Sequence, residues 1–320
     1  MQFTHLHALI KGRDQTGLVI LKSVVLISCM VYIGFRLVSV KYDLLNISTL
    51  FLNQDLQFWL MIGFVISLAP LNWFFEVLKW RSLTSQIQQL NIGEAYKSVL
   101  AGITFGFATP RAIGDYFGRM LVFNNKNKPR VILPLLVGRI SQILPTLLFG
   151  LFGIWVLGNN IELETSMIVI PIILLIITLT FLLGIDELKK IGINISTRFG
   201  LKNSRKIDFS LTTIYCVISY SFLRYLIFTL QFIIVMLMFE VEAGIYLITA
   251  GITWIFFAKS MIPSFSFLSD LGIREFSAIL FFEAFQIPLI PVLAAGLFIW
   301  LVNIALPAVV GLLSVQSSKI

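Results

Sequence analysis

Six runs of apolar residues, at 18–40, 56–78, 131–158, 166–184, 210–239 and 286–313, dominate the chain. A helix of about 20 apolar residues crosses the ~30 Å hydrocarbon core of a bilayer, so each run is predicted to be a transmembrane span. Two further stretches, 95–123 and 244–284, are apolar but broken, and both carry several charges. Thr109-Pro110 divides the first into segments of about 13 to 15 residues, while Pro263 with Ser264, Ser266 and Ser269 divides the second. Limbs that short predict re-entrant hairpins, tolerated at membrane depth only where the break is buried in protein or lines a wet cavity.

Composition sharpens this picture. Apolar residues make up 58% of the 320 and charged residues 12%, about half the charge of an average globular domain. Too few charges remain to coat a soluble surface, so the predicted class is an all-α, polytopic helical membrane protein. The run at 18–40 lacks an Ala-x-Ala exit and is expected to stay as an uncleaved anchor. Cys29 and Cys216 both fall inside apolar runs and read as small membrane-facing side chains.

The net charge of +8 does not indicate nucleic acid, because the basic residues lie scattered between apolar runs. They follow the positive-inside pattern instead. Lys11 and Arg13 precede the first span, Lys126, Lys128 and Arg130 follow the first hairpin, and six basic residues occupy the loop 185–209. The turns near 159–165 and 240–242 carry only glutamates. Both termini are therefore expected in the cytoplasm of a multi-pass cell-membrane protein, with hairpin 95–123 entering from the cytoplasmic side and hairpin 244–284 from the outside. Organisation follows as a cytoplasmic tail (1–17), one transmembrane domain (18–313) and the basic loop 185–209. Within the domain, 56–184 and 210–313 form an expected inverted repeat, an arrangement with broken midplane helices that is characteristic of transporters.

Charges at membrane depth mark the candidate site. Residues three or four apart share a helix face, which aligns Arg111, Asp115 and Arg119 after Pro110, with Gly114 and Gly118 beside them. Gly102-x-x-x-Gly106 on the preceding limb permits a close approach across the hairpin. This hairpin reads either as a binding element presenting cations or as an amphipathic helix whose charges meet interfacial water. Asn72, Glu76, Lys79 and Trp80 share one face of the second span. Glu76 lies about one turn deeper than the interface and is expected to pair with Arg139, with Gln142 one turn beyond. An arginine at that depth costs at least ~2.5 kcal/mol unless paired or hydrated, which makes it a functional candidate, with snorkelling as the alternative. The second half adds Arg224, Lys259, Asp270, Arg274 and Glu275, read as lining a polar path or as structural ion pairs. Pro110, Gly114, Pro263 and Gly272 are expected to shape the two breaks.

No catalytic signature is present. His5 and His7 in the tail read as solvated and not as metal ligands, no phosphate-binding loop occurs, and neither a metal nor a cofactor is expected.

The order Asn72-x-x-x-Glu76-x-x-x-Trp80-Arg81, Gly102, Thr109-Pro110, Gly114-Asp115, Arg119 and Gln142 resembles the transmembrane flippase-type domain of lysylphosphatidylglycerol synthases. The resemblance runs from about residue 20 to 313. In the second half that family shows Pro-Ser-Pro-Gly-Gly-x-Gly-x-x-Glu. Here Ile262-Pro263-Ser264 and Leu271-Gly272-Ile273-Arg274-Glu275 match its ends, while the Gly-Gly pair is absent and the middle is longer. The resemblance implies a helical domain that moves a charged or glycosylated lipid between leaflets. It also implies a stand-alone member, since few residues after 313 are left for a soluble aminoacyl-transfer domain.

The expected function is ATP-independent flipping of a lipid through a central polar cavity, by a transporter and not an enzyme. The expected partners are membrane lipids with an anionic, aminoacylated or glycosylated headgroup. A homo-oligomer and a separate synthase or glycosyltransferase are the protein partners the sequence allows. The alternatives are a membrane transferase acting on a lipid-linked substrate and a scaffold subunit for a separate enzyme.

Overall fold

A computed structural model describes residues 55–109, 113–161, 165–183, 207, 209–262 and 267–317. The first expected span, the N-terminal tail, nearly all of the basic loop, Pro110, Arg111 and Pro263 lie outside the described residues. Among the described residues all regular structure is helical. The elements are α1 (Leu56–Thr84), α2 (Ile92–Ala108), α3 (Ile113–Met120), α4 (Ile132–Gly158), α5 (Ser166–Leu183), α6 (Leu211–Met238), α7 (Ile245–Met261), α8 (Phe267–Ala284), α9 (Leu289–Trp300) and α10 (Leu306–Ser317).

Local chemistry sets several of the starts. Asp55 accepts from the Phe58 amide at 3.0 Å, and Ser210 caps α6 by accepting from Thr213 at 3.2 Å. Asn91 and Glu94 form a reciprocal capping box on α2, at 2.8 and 2.9 Å. The first break falls where expected, with Thr109 capping the C-terminus of α2. The run 286–313, expected as one regular helix, instead contains a π turn over Leu301–Ala305 between α9 and α10. Pro307 supplies a physical reason: its ring has no N–H to give the carbonyl of Asn303 and crowds that carbonyl.

Among the described residues four helical stretches are long and apolar enough to cross a membrane: Leu56–Thr84, Lys128–Gly158, Leu211–Met238 and Leu289–Leu312. The run at 166–184 forms α5, and its stretch Ser166–Thr180 and α7 are shorter apolar helices among the described residues. Large apolar side chains such as Trp59, Phe64, Trp155, Ile176, Leu226 and Val309 face outward. In water such a surface would be costly, and lipid tails remove that cost.

Packing follows a reciprocal plan. The limbs α2 and α3 pack together, as do α7 and α8, and α1 lies along α6. The span after each hairpin packs on the first limb of the other hairpin, α4 on α7 and, after the second, its C-terminal part α10 on α2. Small residues make both contacts close. Gly150 of α4 abuts Phe257, Gly153 abuts the Ala250–Trp254 backbone of α7, and Gly311 of α10 meets the Leu100 carbonyl of α2. The largest core cluster joins α6 to α9 around Phe232, Val235, Ile248, Phe281 and Phe282.

Candidate functional site

The polar face of α1 turns inward. Asn72, Glu76, Lys79 and Trp80 are all buried. The Glu76 carboxylate binds Lys79 Nζ at 2.8 Å and Arg119 Nη1 at 2.9 Å, and it also contacts Arg224 Nη1 directly. A carboxylate at this depth is sustained only by such paired partners.

Arg119 reaches Glu76 because α3 lies unusually close to α2. A Cβ at Gly114 would overlap the Phe105 carbonyl, and one at Gly118 the Ala101 carbonyl. Gly102 on α2 leaves the room taken by the Asp115 and Arg119 side chains. Thr109 ties the break by accepting from the Gly114 amide at 2.6 Å and donating to the Phe105 carbonyl at 2.7 Å. Asp115 then holds Arg119 Nε at 2.7 Å and Arg139 Nη2 at 3.0 Å. Arg139 also stacks over the Tyr116 ring, its guanidinium carbon 4.5 Å from the centroid.

Arg224 of α6 completes the cluster. Its Nε donates to Asn72 Oδ1 at 2.9 Å and its carbonyl accepts from Asn72 Nδ2 at 3.1 Å. Gln142 Oε1 accepts from both Lys79 Nζ and Arg224 Nη1 at 3.3 Å. Two cavities flank this contact. One, of about 150 Å³, is lined by Glu76, Lys79, Asp115, Arg119 and Arg139 among others. The second, of about 160 Å³, is lined by Asn72, Thr146, Tyr225, Lys259 and Ser260 among others. Arg224 and Gln142 line both, so they stand as the partition. At ~30 Å³ per water, each cavity has room for roughly five waters or one phosphate-sized group.

Several expectations need correction. Glu76 does not pair with Arg139: its partners are Lys79, Arg119 and Arg224, and Arg139 pairs with Asp115. The reason is the rotation of α4, which presents Gln142 to Glu76's neighbours and Arg139 to the hairpin. Arg224 belongs to the same cluster as Glu76 and not to a separate second-half set. Asp270 forms an ion pair with Lys259 at 3.0 Å across the second hairpin. Arg274 and Glu275 line neither cavity. Arg274 is buried over the Phe232 ring, Glu275 lies against Gly296 of α9, and Gly272 is buried beside them. Arg111, Pro110 and Pro263 lie outside the described residues.

Two residues join the site that the sequence reading did not select. Lys79, on the polar face of α1, touches Glu76, Gln142 and the Gly138 carbonyl. Ser98 accepts from Trp80 Nε1 and donates to the Arg119 carbonyl, both at 2.9 Å, while the Trp80 ring lies 5.1 Å from the Arg119 guanidinium carbon. Its spacing, one turn before Gly102, was the available signal. Ser98→Ala strands the indole N–H and the Arg119 carbonyl in a buried setting, so it is expected to lower thermal stability by ~1–3 kcal/mol. Unfolding of the detergent-solubilised protein, followed by tryptophan fluorescence, measures this.

Comparison with known families bears on the whole arrangement. The family model described as the lysylphosphatidylglycerol synthase TM region matches residues 19–311. The chain belongs to this family. No curated protein and no solved structure matches the chain. Family membership and the apolar helices make it a multi-pass membrane protein with a lipid-related function. In this member of the lysylphosphatidylglycerol synthase TM-region family, the residues Asn72, Glu76, Trp80, Asp115, Arg119 and Gln142 converge on one buried cluster. Among the described residues no group of His, Cys, Asp and Glu is arranged to hold a metal ion.

Proposed function

We propose that the protein moves an anionic lipid between the leaflets without ATP, the headgroup passing the Glu76–Arg224 cluster while the tails stay in the bilayer. One observation carries this reading. Among the described residues the cluster joins four cations (Lys79, Arg119, Arg139, Arg224) to two carboxylates (Glu76, Asp115), a formal surplus of two positive charges beside two cavities. Uncompensated charge at membrane depth costs several kcal/mol. An anionic phosphate in either cavity offsets that cost, and arginine forks suit its oxygens.

The partition suggests the path. Arg224 has Asn72 and Gln142 as neutral neighbours and Glu76 as a charged one. A phosphate arriving from the first cavity competes with Glu76 for Arg224, and the freed guanidinium can follow it towards the second. Exchange among these partners keeps the arginine charge balanced along the way. The first hairpin, entering from the cytoplasmic side, would supply one mouth through Asp115, Arg119 and Arg139, and Lys259 and Ser260 would line the other.

Flipping is testable in proteoliposomes carrying fluorescent phosphatidylglycerol or phosphatidylcholine, with dithionite quenching the outer leaflet. Phosphatidylglycerol is expected to move faster than its neutral counterpart. Arg139→Ala should slow that movement about tenfold or more, because a charge-assisted hydrogen bond contributes ~1.5–3 kcal/mol and each 1.4 kcal/mol is tenfold in rate. Asp115→Asn should also slow it, by loosening both Arg119 and Arg139. Unchanged rates in both variants would remove these residues from the site. Equal rates for the two lipids would remove the anionic headgroup from the proposal.

A further inference from the structure

The second hairpin holds a different set of charges. Lys259 and Asp270 form a pair at 3.0 Å, bordering the second cavity through Lys259. One turn further, Arg274 is 2% exposed, and none of its three guanidinium nitrogens has a hydrogen-bond partner. Both carboxylate oxygens of Glu275 are likewise solvent-inaccessible and without a partner. Two adjacent ionisable side chains left unbonded in an apolar interior are an uncommon and costly arrangement.

The surroundings of Glu275 offer it little. Helix α8 packs on α7 and α9. The residues of α9, Leu289–Trp300, include no charged side chain, and Glu275 meets that helix at Gly296. On α7 the charged residue is Lys259, already held by Asp270. From α6, Phe232 lies beneath Arg274, while Arg224 is engaged by Glu76 and the Tyr225 hydroxyl lacks a partner. On α8 itself Glu283 stands two turns beyond Glu275, and Arg274 is its immediate charged neighbour in the chain.

Two opposing effects therefore set its charge. Missing donors penalise the carboxylate, and the neighbouring guanidinium favours it. With Glu275 ionised, Lys259, Asp270, Arg274 and Glu275 sum to zero; with Glu275 protonated they sum to +1. A unit of positive charge beside the second cavity would attract an anionic headgroup.

We propose that Glu275 is a proton-binding site, and that one proton accompanies each anionic lipid. The coupling rests on the transport reading above, whereas the proton site does not. The proton adds to the Glu275 carboxylate when the hairpin sits as observed. It leaves when movement of α8 brings a donor or water to the oxygens. For a singly charged headgroup the joint movement of proton and lipid is electroneutral, so it responds to a pH gradient and not to membrane potential.

Two measurements on the full chain separate the claims. Infrared difference spectra across a pH titration should show a protonated carboxyl band that Glu275→Gln abolishes and Glu275→Asp retains. In proteoliposomes with fluorescent phosphatidylglycerol and a clamped potential, a pH gradient should redistribute the lipid by up to about tenfold per pH unit. Glu275→Gln, close in size to the protonated acid, should still move lipid down its gradient but lose that response, and Glu275→Asp should restore part of it. A titrating Glu275 band without any lipid movement by the unmodified protein upholds the proton site and defeats the transport reading. Lipid movement that ignores the pH gradient defeats the coupling. Absence of the Glu275 band, or a full gradient response in Glu275→Gln, overturns the proton site itself.

Discussion

Glu76→Gln should be among the most damaging single substitutions in the chain. The variant keeps the shape of the side chain but leaves Lys79, Arg119 and Arg224 facing one another without their shared carboxylate. Removing one partner of a buried ion pair costs ~3–5 kcal/mol, because the remaining charge stays buried and uncompensated. Here three cations lose the same partner, so the upper part of that range is expected. In a chain of this size the loss corresponds to a fall in Tm of roughly 10 °C.

The sign of the effect depends on charge count and not on contact count, which a companion variant tests. Lys79→Met removes a cation from a cluster that already has a surplus, and Glu76 retains Arg119 and Arg224. It should cost distinctly less than Glu76→Gln, and adding it to Glu76→Gln should recover part of the lost stability. Thermal unfolding in detergent is the measurement. A Glu76→Gln protein that unfolds with the parent would show that the three cations do not depend on this carboxylate.

Gly118→Val should be comparably severe for a steric reason. A Cβ at residue 118 would fall on the Ala101 carbonyl, a backbone group that cannot rotate away. The limbs α2 and α3 must separate, which draws Arg119 away from Glu76 and Asp115 away from Arg139. Overpacking alone costs ~1–3 kcal/mol, and loss of the ion pairs adds to it. Both Tm and the rate of anionic lipid movement should fall. Gly63→Ala provides the contrast, since nothing lies within 4 Å of a Cβ there. In the middle of α1 that exchange should be neutral or stabilising by up to ~1 kcal/mol. If Gly118→Val behaved like Gly63→Ala, the close hairpin would not be what seats Arg119.

Much of the fold was legible because the membrane imposes length. A bilayer demands about 20 apolar residues per crossing, so the runs at 56–78, 131–158, 210–239 and 286–313 announced their helices directly. The first break was legible as well, since Thr109-Pro110 ends a helix by removing a donor and crowding the preceding turn. The π turn in the last span was missed because its cause, Pro307, lies inside an otherwise unbroken apolar run and can be absorbed without ending the helix.

The candidate site was legible residue by residue but not pair by pair. Helical periodicity placed Asn72, Glu76, Lys79 and Trp80 on one face, and charge at depth singled out Arg119, Arg139 and Arg224. What periodicity cannot state is how far each helix is rotated about its own axis against its neighbours. That rotation gave Glu76 to Arg224, 148 positions away in the chain, and gave Arg139 to Asp115.

Composition and spacing alone thus determined the class of the protein, the depth of its charges and the position of the first break, because these follow from the thickness and dielectric of a bilayer acting on a linear chain. Tertiary structure decided which carboxylate neutralises which cation, that two cavities share Arg224 and Gln142, and that the Arg274 guanidinium and the Glu275 carboxylate are enclosed without hydrogen-bond partners. Those outcomes depend on close approaches at glycines such as Gly118, Gly153 and Gly296. A contact of a few ångströms between distant segments is set by packing in three dimensions, and no local pattern along the chain encodes it.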